Sequence, residues 1–184
     1  NYLMKRSFIL IWFIFISCEV SYMPKQKAYL AHQFKKPTYK QTLSNCDYKF
    51  LININSKIKL NQNCNAVINY ESLKANIFLT NLKINNNFKL IKNDFDLKVK
   101  ENSNSIYNIN ISEFNHKNKN LHAISYSFVG NAPSNVQFFV TDSISNFLMG
   151  SLYFETKPNY DSLLPSISYV KNDIKKIVES ITWN

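Results

Sequence analysis

The alternation of hydrophobic and polar positions along the chain predicts mainly β-strands. Between residues 106 and 111 the alternation places Ile109 and Ile111 on one side of a strand, opposite Asn108 and Asn110. Other runs are rich in β-branched and aromatic residues, which is typical of strands. The predicted strands span residues 48–55, 57–60, 65–70, 74–80, 106–111, 121–129, 136–141 and 147–155.

Two segments instead repeat their apolar residues every three or four positions, which is the spacing of an amphipathic helix. The first lies between residues 86 and 101, and its single apolar stripe predicts a helix that packs on a sheet. The second runs from Asp161 to Trp183. Asn159 or Asp161 is the candidate cap of the second helix, and Pro165 is expected to confine its regular turns to later residues.

The order of these elements is strands, helix, strands, helix, with short turns between most strands. This order predicts an α+β fold, in which a mainly antiparallel sheet carries two helices on one face. From the element order alone, the specific expectation is a PsbP/Mog1-like fold. Residues 28–184 are long enough for one domain with its own core, and no composition change within them indicates a second domain.

The first residues have the organisation of an export leader. Lys5 and Arg6 precede nine apolar residues, and Ser17 and Cys18 follow them. Nine residues of helix span only about 14 Å, which is too short to cross a bilayer. Ser17-Cys18 resembles the junction at which bacterial lipoproteins are cleaved and lipidated, so Cys18 is the predicted lipid attachment point.

This prediction divides the chain into a lipoprotein-type signal peptide at 1–17, a polar tether at 18–27 and the domain at 28–184. Phe15 and Ile16 depart from the residues that are usual before a lipidated cysteine. A plain secretory leader and an uncleaved N-terminal anchor therefore stay open as alternatives. All three interpretations predict export, and the lipoprotein interpretation predicts a membrane-anchored envelope protein that faces the periplasm.

Cys46 and Cys64 are the other two cysteines, and export allows them to form a disulfide. If the strands near them alternate in direction, both cysteines lie at the same end of the sheet and can meet. Two buried free thiols are the alternative. A bridge of this loop length contributes about 3 kcal/mol to the free energy of unfolding in the chain-entropy model.

The formal charge of +10 is large, but the kind of basic residue that carries it does not favour nucleic-acid binding. Arg6 is the only arginine and lies in the predicted leader, so the mature chain carries +8 without the planar guanidinium that reads guanine edges and clamps phosphates. The abundance of Asn, Lys, Ile, Phe and Tyr indicates AT-rich codons as the source of most of this charge. We therefore expect no nucleic-acid partner, although weak attraction to anionic lipid remains open.

The sequence contains no recognisable catalytic or metal-binding motif. His32, His116 and His122 lie in unrelated contexts, and no cysteine and histidine have metal-ligand spacing. Asp94 and Asp96 are two residues apart on a predicted helix, so their side chains diverge. We expect no enzymatic activity, no cofactor and no metal site, while a small-ligand pocket stays open as an alternative.

The most distinctive stretch is Gly130–Ser143, in which a Gly-Asn-Ala turn leads into Val-Gln-Phe and then Thr-Asp-Ser. This stretch resembles the GldD family of gliding-motility lipoproteins. Phe147–Phe154, Pro158–Pro165 and the helix ending in Trp183 continue the resemblance in the expected order. The resemblance implies an accessory component of the gliding and type IX secretion apparatus of Bacteroidota, with other envelope proteins of that machinery as partners.

The polar residues of this stretch are the candidate partner-binding surface. Turns that flank consecutive strands can lie at one end of a sheet, so the segments 130–143 and 159–161 are expected to form one exposed edge. Structural turns and packing are the alternative role for the same residues. The candidate surface residues are Asn131, Gln137, Asp142, Ser143, Asn159 and Asp161.

Overall fold

The computed structural model of the chain describes residues 34–43, 45–104, 106–157 and 159–183. All of these residues belong to a unit that the contacts of the chain delimit at 31–184. The predicted signal peptide at 1–17, the lipid attachment at Cys18 and the tether at 18–27 lie outside the described residues.

The described chain forms eleven strands and two α-helices, with two short 3-10 turns between them. In chain order they are β1 Tyr39–Gln41, β2 Tyr48–Lys49, β3 Leu51–Asn53, β4 Lys57–Leu60, β5 Ala66–Tyr70, β6 Ala75–Lys83, α1 Phe88–Asn102, β7 Ile106–His116, β8 Leu121–Gly130, β9 Val136–Thr141, β10 Asn146–Phe154, α2 Tyr160–Ser180 and β11 Thr182–Trp183.

Seven of the strands form one antiparallel sheet in the order β4-β5-β6-β10-β9-β8-β7. Two pairs of short strands, β1 with β3 and β2 with β11, lie outside it. The predicted α+β class and the mainly antiparallel sheet are confirmed. The predicted strands are also present, and β4 and β9 have the predicted bounds.

The second helix differs from its prediction at both ends. It begins at Tyr160 and contains Pro165, so the expectation that proline delays the regular turns is wrong. The carbonyl that Pro165 leaves without an N–H belongs to Asp161, an exposed residue that water reaches. The helix also ends at Ser180 because Thr182 and Trp183 pair with β2.

The two helices cover opposite faces of the sheet, and the expectation that both lie on one face is wrong. Helix α1 packs Ile91, Phe95 and Val99 in one core, as its predicted stripe indicates. Helix α2 packs its own apolar stripe in a second core on the other face. The sheet residues of the α1 core include Phe128, Phe139 and Phe147, and those of the α2 core include Ile77, Leu79, Val136, Phe138, Val140, Leu148 and Leu152.

The physical reason is that β9 is buried on both faces. All six of its residues are buried, and such strands read as continuous apolar runs rather than as one apolar side. Phe138 and Phe139 are consecutive, so they point to opposite faces and each needs its own cover. Helix α2 covers the first of these rings and α1 covers the second.

Gly150, in the central strand β10, lies directly opposite Phe138. A Cβ atom at position 150 would collide with the Phe138 ring and would lie 2.9 Å from Cδ2 of Leu79. The ring therefore occupies the space that a side chain at position 150 would fill. Glycine is required here by close packing, since its backbone angle φ is ordinary.

Cys46 and Cys64 form a disulfide with a Cα–Cα distance of 5.7 Å. Beside it, the Tyr48 hydroxyl donates a hydrogen bond of 2.5 Å to the Cys64 carbonyl oxygen. Burial raises the pKa of Tyr48 to about 12. The bridge thus ties the chain entering β2 to the loop entering β5, next to a buried tyrosine that remains neutral at physiological pH.

We expect Gly150→Ala to lower the free energy of unfolding by about 1–3 kcal/mol, because an added methyl group overpacks a site filled by Phe138. Urea unfolding monitored by circular dichroism measures this change. Ser151→Ala is the matched control on the same strand, at a partly exposed position. Equal stability of the wild type and Gly150→Ala would show that the Phe138 ring moves aside at no cost.

Candidate functional site

The predicted partner surface is divided between two ends of the sheet. The turn at Asn131 enters β9, whereas Asp142 and Ser143 follow it, and a six-residue strand separates its ends by roughly 17 Å. The single exposed edge predicted from the sequence is therefore wrong. Two consecutive turns of a β-meander lie at opposite ends, because each strand reverses the direction of the chain.

Asn131 does meet the start of α2. Its Oδ1 accepts a hydrogen bond of 2.8 Å from the backbone N–H of Tyr160. Asn159 caps the helix, since its Oδ1 accepts from the N–H of Ser162 at 3.4 Å. Asn131, Asn159 and Asp161 are all exposed, so three of the six candidate residues form one polar surface, which we call the Asn131 end.

Asp142 holds the turn at the other end of β9. One oxygen, Oδ1, accepts hydrogen bonds from the backbone N–H groups of Ile144, Ser145 and Asn146 at 2.8–2.9 Å, and the other accepts from Asn146 Nδ2 at 2.7 Å. Burial alone would raise the pKa of Asp142, but these hydrogen bonds outweigh it and lower the pKa. Ser143 is exposed in the same turn with a left-handed φ of 60°.

Gln137 is buried, with 5% of its surface exposed, so the expectation that it lies on the surface is wrong. It faces α1, opposite Tyr126 on β8 and Ser151 on β10. Its Oε1 is fully buried and has no hydrogen-bond partner. A buried amide oxygen without a partner costs about 1–3 kcal/mol, which distinguishes Gln137 from the bonded polar residues around it.

Gln137 lines a groove of about 540 Å³ between α1 and the sheet. Lys98 and Glu101 of α1 lie on one side of this groove. Phe78 and Tyr153 lie on the sheet, with ring centroids 5.8 Å apart and an interplanar angle of 74°. We call this feature the Gln137 groove.

A buried carboxylate that the sequence analysis did not single out lies on the opposite face. Asp173 of α2 is 1% exposed. It accepts hydrogen bonds from the Tyr39 hydroxyl at 2.6 Å, Asn53 Nδ2 at 2.8 Å and the Tyr70 hydroxyl at 3.0 Å. Three donors on one carboxylate satisfy the requirement that a buried charge be well hydrogen-bonded.

This Asp173 cluster ties the first described residues to α2. Tyr169, one turn before Asp173, accepts from Asn53 Nδ2 at 2.9 Å and donates to the Lys35 carbonyl at 3.0 Å. Its ring stacks on Phe34 with centroids 4.9 Å apart. Burial, and then the adjacent Asp173, raise the pKa of Tyr70, so this hydroxyl remains a donor at physiological pH.

The described residues contain no group of three or more His, Cys, Asp or Glu side chains arranged to hold a metal ion. His122 Nδ1 lies 2.6 Å from Asn115 Oδ1 and 3.6 Å from Glu113 Oε1, at a partly exposed position. His32 lies outside the described residues. Within the described part of the chain, no helix has the length and hydropathy needed to cross a bilayer.

Comparison with protein families matches residues 19–183 to the model of the gliding motility lipoprotein GldD. The match covers most of the chain. The chain belongs to the GldD family. No curated protein matches it.

The stretch Gly130–Ser143, which carries the resemblance to GldD, lies around strand β9. Gly130–Ser143 comprises the end of β8, the Asn131 turn, β9 and the first part of the Asp142 turn. In this GldD family member, its apolar residues fill both cores. Its polar residues include Asp142, which holds a turn, Asn131, which lies on the Asn131 end, and Gln137, which is buried facing the Gln137 groove.

We expect Asp142→Ala to lower the free energy of unfolding at pH 7 by about 1–3 kcal/mol, since it removes four hydrogen bonds to a carboxylate. The folded-state pKa is lowered, so this stabilisation is complete above the unfolded value of about 3.9 and is lost as the pH falls through the folded value. Urea unfolding at pH 7 and at pH 3 measures both effects.

The control for this variant is Asp94→Ala, which changes an exposed carboxylate on α1 and should alter stability by less than about 0.5 kcal/mol. An Asp142→Ala variant as stable as this control would mean that the turn does not depend on the carboxylate.

Proposed function

We propose that this GldD family lipoprotein is a non-catalytic accessory component of the gliding motility and type IX secretion apparatus of Bacteroidota. In this proposal a lipid on Cys18 anchors it, residues 18–27 are the tether, and the domain faces the periplasm. The observation that carries the proposal is the family match over residues 19–183. That match begins directly after Cys18, which agrees with a boundary between leader and mature chain at this cysteine.

The roles of two extensively hydrogen-bonded carboxylates, Asp142 and Asp173, support a non-catalytic protein. Asp142 uses both oxygens to hold a turn, and Asp173 uses both to join α2 to β3, β5 and the first described strand. A general acid or base needs a proton-transfer position that faces a substrate. Hydrogen bonds within the protein occupy that position in both residues.

The Asn131 end is the proposed contact with another envelope protein. Its three polar residues come from two segments far apart in the sequence, and the bond between Asn131 and Tyr160 fixes their relative position. All three remain exposed, so their side chains are available to a partner. Asp142, Ser143 and Gln137 are not part of this proposed surface.

A second candidate function is a lipid-anchored domain that binds a small ligand. The Gln137 groove favours it, because the groove has the volume of a ligand site and contains a buried polar atom without a partner. The two functions involve different surfaces, so variants at one surface leave the other intact.

We expect Cys18→Ser to release the protein from the membrane fraction, since it removes the thiol to which the lipid is proposed to be attached. Fractionation, followed by mass spectrometry of the N-terminal peptide, measures location and lipidation together. Cys46→Ser/Cys64→Ser is the control that removes cysteines without removing the proposed anchor. A Cys18→Ser protein that stays in membranes with residues 8–16 intact would indicate an uncleaved anchor.

We expect Asp161→Lys to reduce complementation of gliding or secretion in a strain lacking the gene. The thermal midpoint should change by no more than about 2–4 °C, because the lost interaction with the helix N-terminus contributes about 1 kcal/mol in a domain of this size. The reason is that reversing one exposed charge disfavours a complementary partner. Asp94→Lys reverses an exposed charge on α1 and should complement fully. Full complementation by Asp161→Lys would place the partner contact elsewhere.

A further inference from the structure

The Gln137 groove lies against a row of side chains that crosses three strands. Phe78 on β6 is opposite Ser151 on β10, and Ser151 is opposite Gln137 on β9. Neighbouring strands are about 4.8 Å apart, so the row presents an aromatic ring, a hydroxyl and an amide in regular succession. All three residues line the groove.

The amide in this row favours a polar ligand. Only 5% of the Gln137 surface is exposed, and its Oε1 has no hydrogen-bond partner. Rotation of the amide by half a turn exchanges Oε1 and Nε2, which differ as acceptor and donor. A hydroxyl group both donates and accepts, so it satisfies the amide in either orientation. A purely apolar ligand would leave the amide without a partner, which costs free energy.

The charges beside the groove disfavour a strongly charged ligand. Lys98 and Glu101 both line it from α1 and carry opposite signs. An anion attracted by Lys98 would be repelled by Glu101, and a cation attracted by Glu101 would be repelled by Lys98. The remaining polar groups on the sheet side, including the hydroxyls of Thr80 and Ser151, are neutral. A neutral ligand fits this balance.

The aromatic pair at the edge of the groove favours a ligand that also has an apolar surface. Phe78 is 45% exposed and Tyr153 is 38% exposed, although both are large hydrophobic residues on a sheet. Their edge-to-face arrangement leaves ring surface available to a third group. A ligand that fits both features combines aliphatic C–H groups on one face with hydroxyl groups at its edge.

We propose that the Gln137 groove binds a neutral sugar unit of a glycan. A sugar ring has this combination of a C–H face and peripheral hydroxyl groups. Its C–H face packs on Phe78 and Tyr153, and its hydroxyl groups bond to Gln137 and Ser151. The groove volume of about 540 Å³ is within the range of ligand pockets, which accommodate one or two such rings. This binding requires neither the lipid nor the Asn131 end.

Saturation-transfer NMR tests the proposal on the full-length chain, in a detergent without a sugar headgroup. The probes are maltose and N,N′-diacetylchitobiose, two neutral disaccharides. We expect transfer to the ring C–H protons of at least one probe. Phe78→Ala and Gln137→Leu should each weaken binding by about fivefold or more, which corresponds to about 1 kcal/mol. Tyr107→Ala, which removes an 89% exposed ring on β7, should leave binding unchanged.

A thermal melt separates binding from folding. Gln137→Leu keeps the side-chain size and removes an oxygen without a partner, so its thermal midpoint should equal or exceed that of the wild type. A lower midpoint would show that the amide is bonded within the domain and would overturn its role in binding. Transfer that is absent for both sugars, or unchanged in Phe78→Ala, overturns the proposal.

Two further experiments identify the chemical class of the ligand and its source. If a capped neutral tripeptide binds and neither sugar does, the glycan proposal is overturned and the ligand of the groove is a peptide. Sedimentation with purified cell-wall sacculi that the disaccharide abolishes identifies the cell wall as the source of the glycan. If the soluble disaccharide binds but the protein does not sediment with sacculi, the natural ligand is another glycan, and the groove is still supported as a glycan-binding site.

Discussion

The Phe138 ring occupies the space next to Gly150 on one face of the sheet, and the neighbouring Phe139 ring projects from the other face. This double burial at the centre of the sheet explains the position of both helices. Each face exposes a large aromatic surface that must be covered, and one helix cannot cover both. The β9–β10 hairpin therefore determines the fold more than either helix does, since the apolar stripes of α1 and α2 could pack on many sheets.

The same hairpin also separates the polar residues into groups with different roles. Residues at the two ends of β9 lie where turns need side-chain acceptors, and Asp142 meets that need completely. Gln137 lies within the strand, where an apolar residue would pack equally well and would carry no unpaired oxygen. The proposed binding role accounts for its presence in the middle of an apolar strand, whereas stability does not.

The sequence predicted most elements because strand alternation and helical stripes are local patterns. It did not predict the arrangement of the helices, since Phe138 and Phe139 are equally apolar and alternation gives no sign of which face is covered. The burial of Gln137 was missed for a related reason. A single polar residue in an apolar strand normally indicates the side of the strand that faces solvent. Asp173 did carry a signal, a carboxylate within the apolar stripe of α2 beside Val170 and Ile174. Its donors, however, lie 103–134 residues away in the sequence, where no local pattern reaches.

The Asp173 cluster has a mechanical consequence if the lipid proposed on Cys18 holds the domain. Tension on the chain before Phe34 is delivered to α2, through the stacking of Phe34 on Tyr169, the Tyr169–Lys35 hydrogen bond and the Tyr39–Asp173 hydrogen bond. These contacts bear the load together. The force is therefore divided between α2, which packs on the middle of the sheet, and the β1–β3 pair to which Tyr39 also belongs. Such an attachment point suits a domain that is pulled while it remains folded.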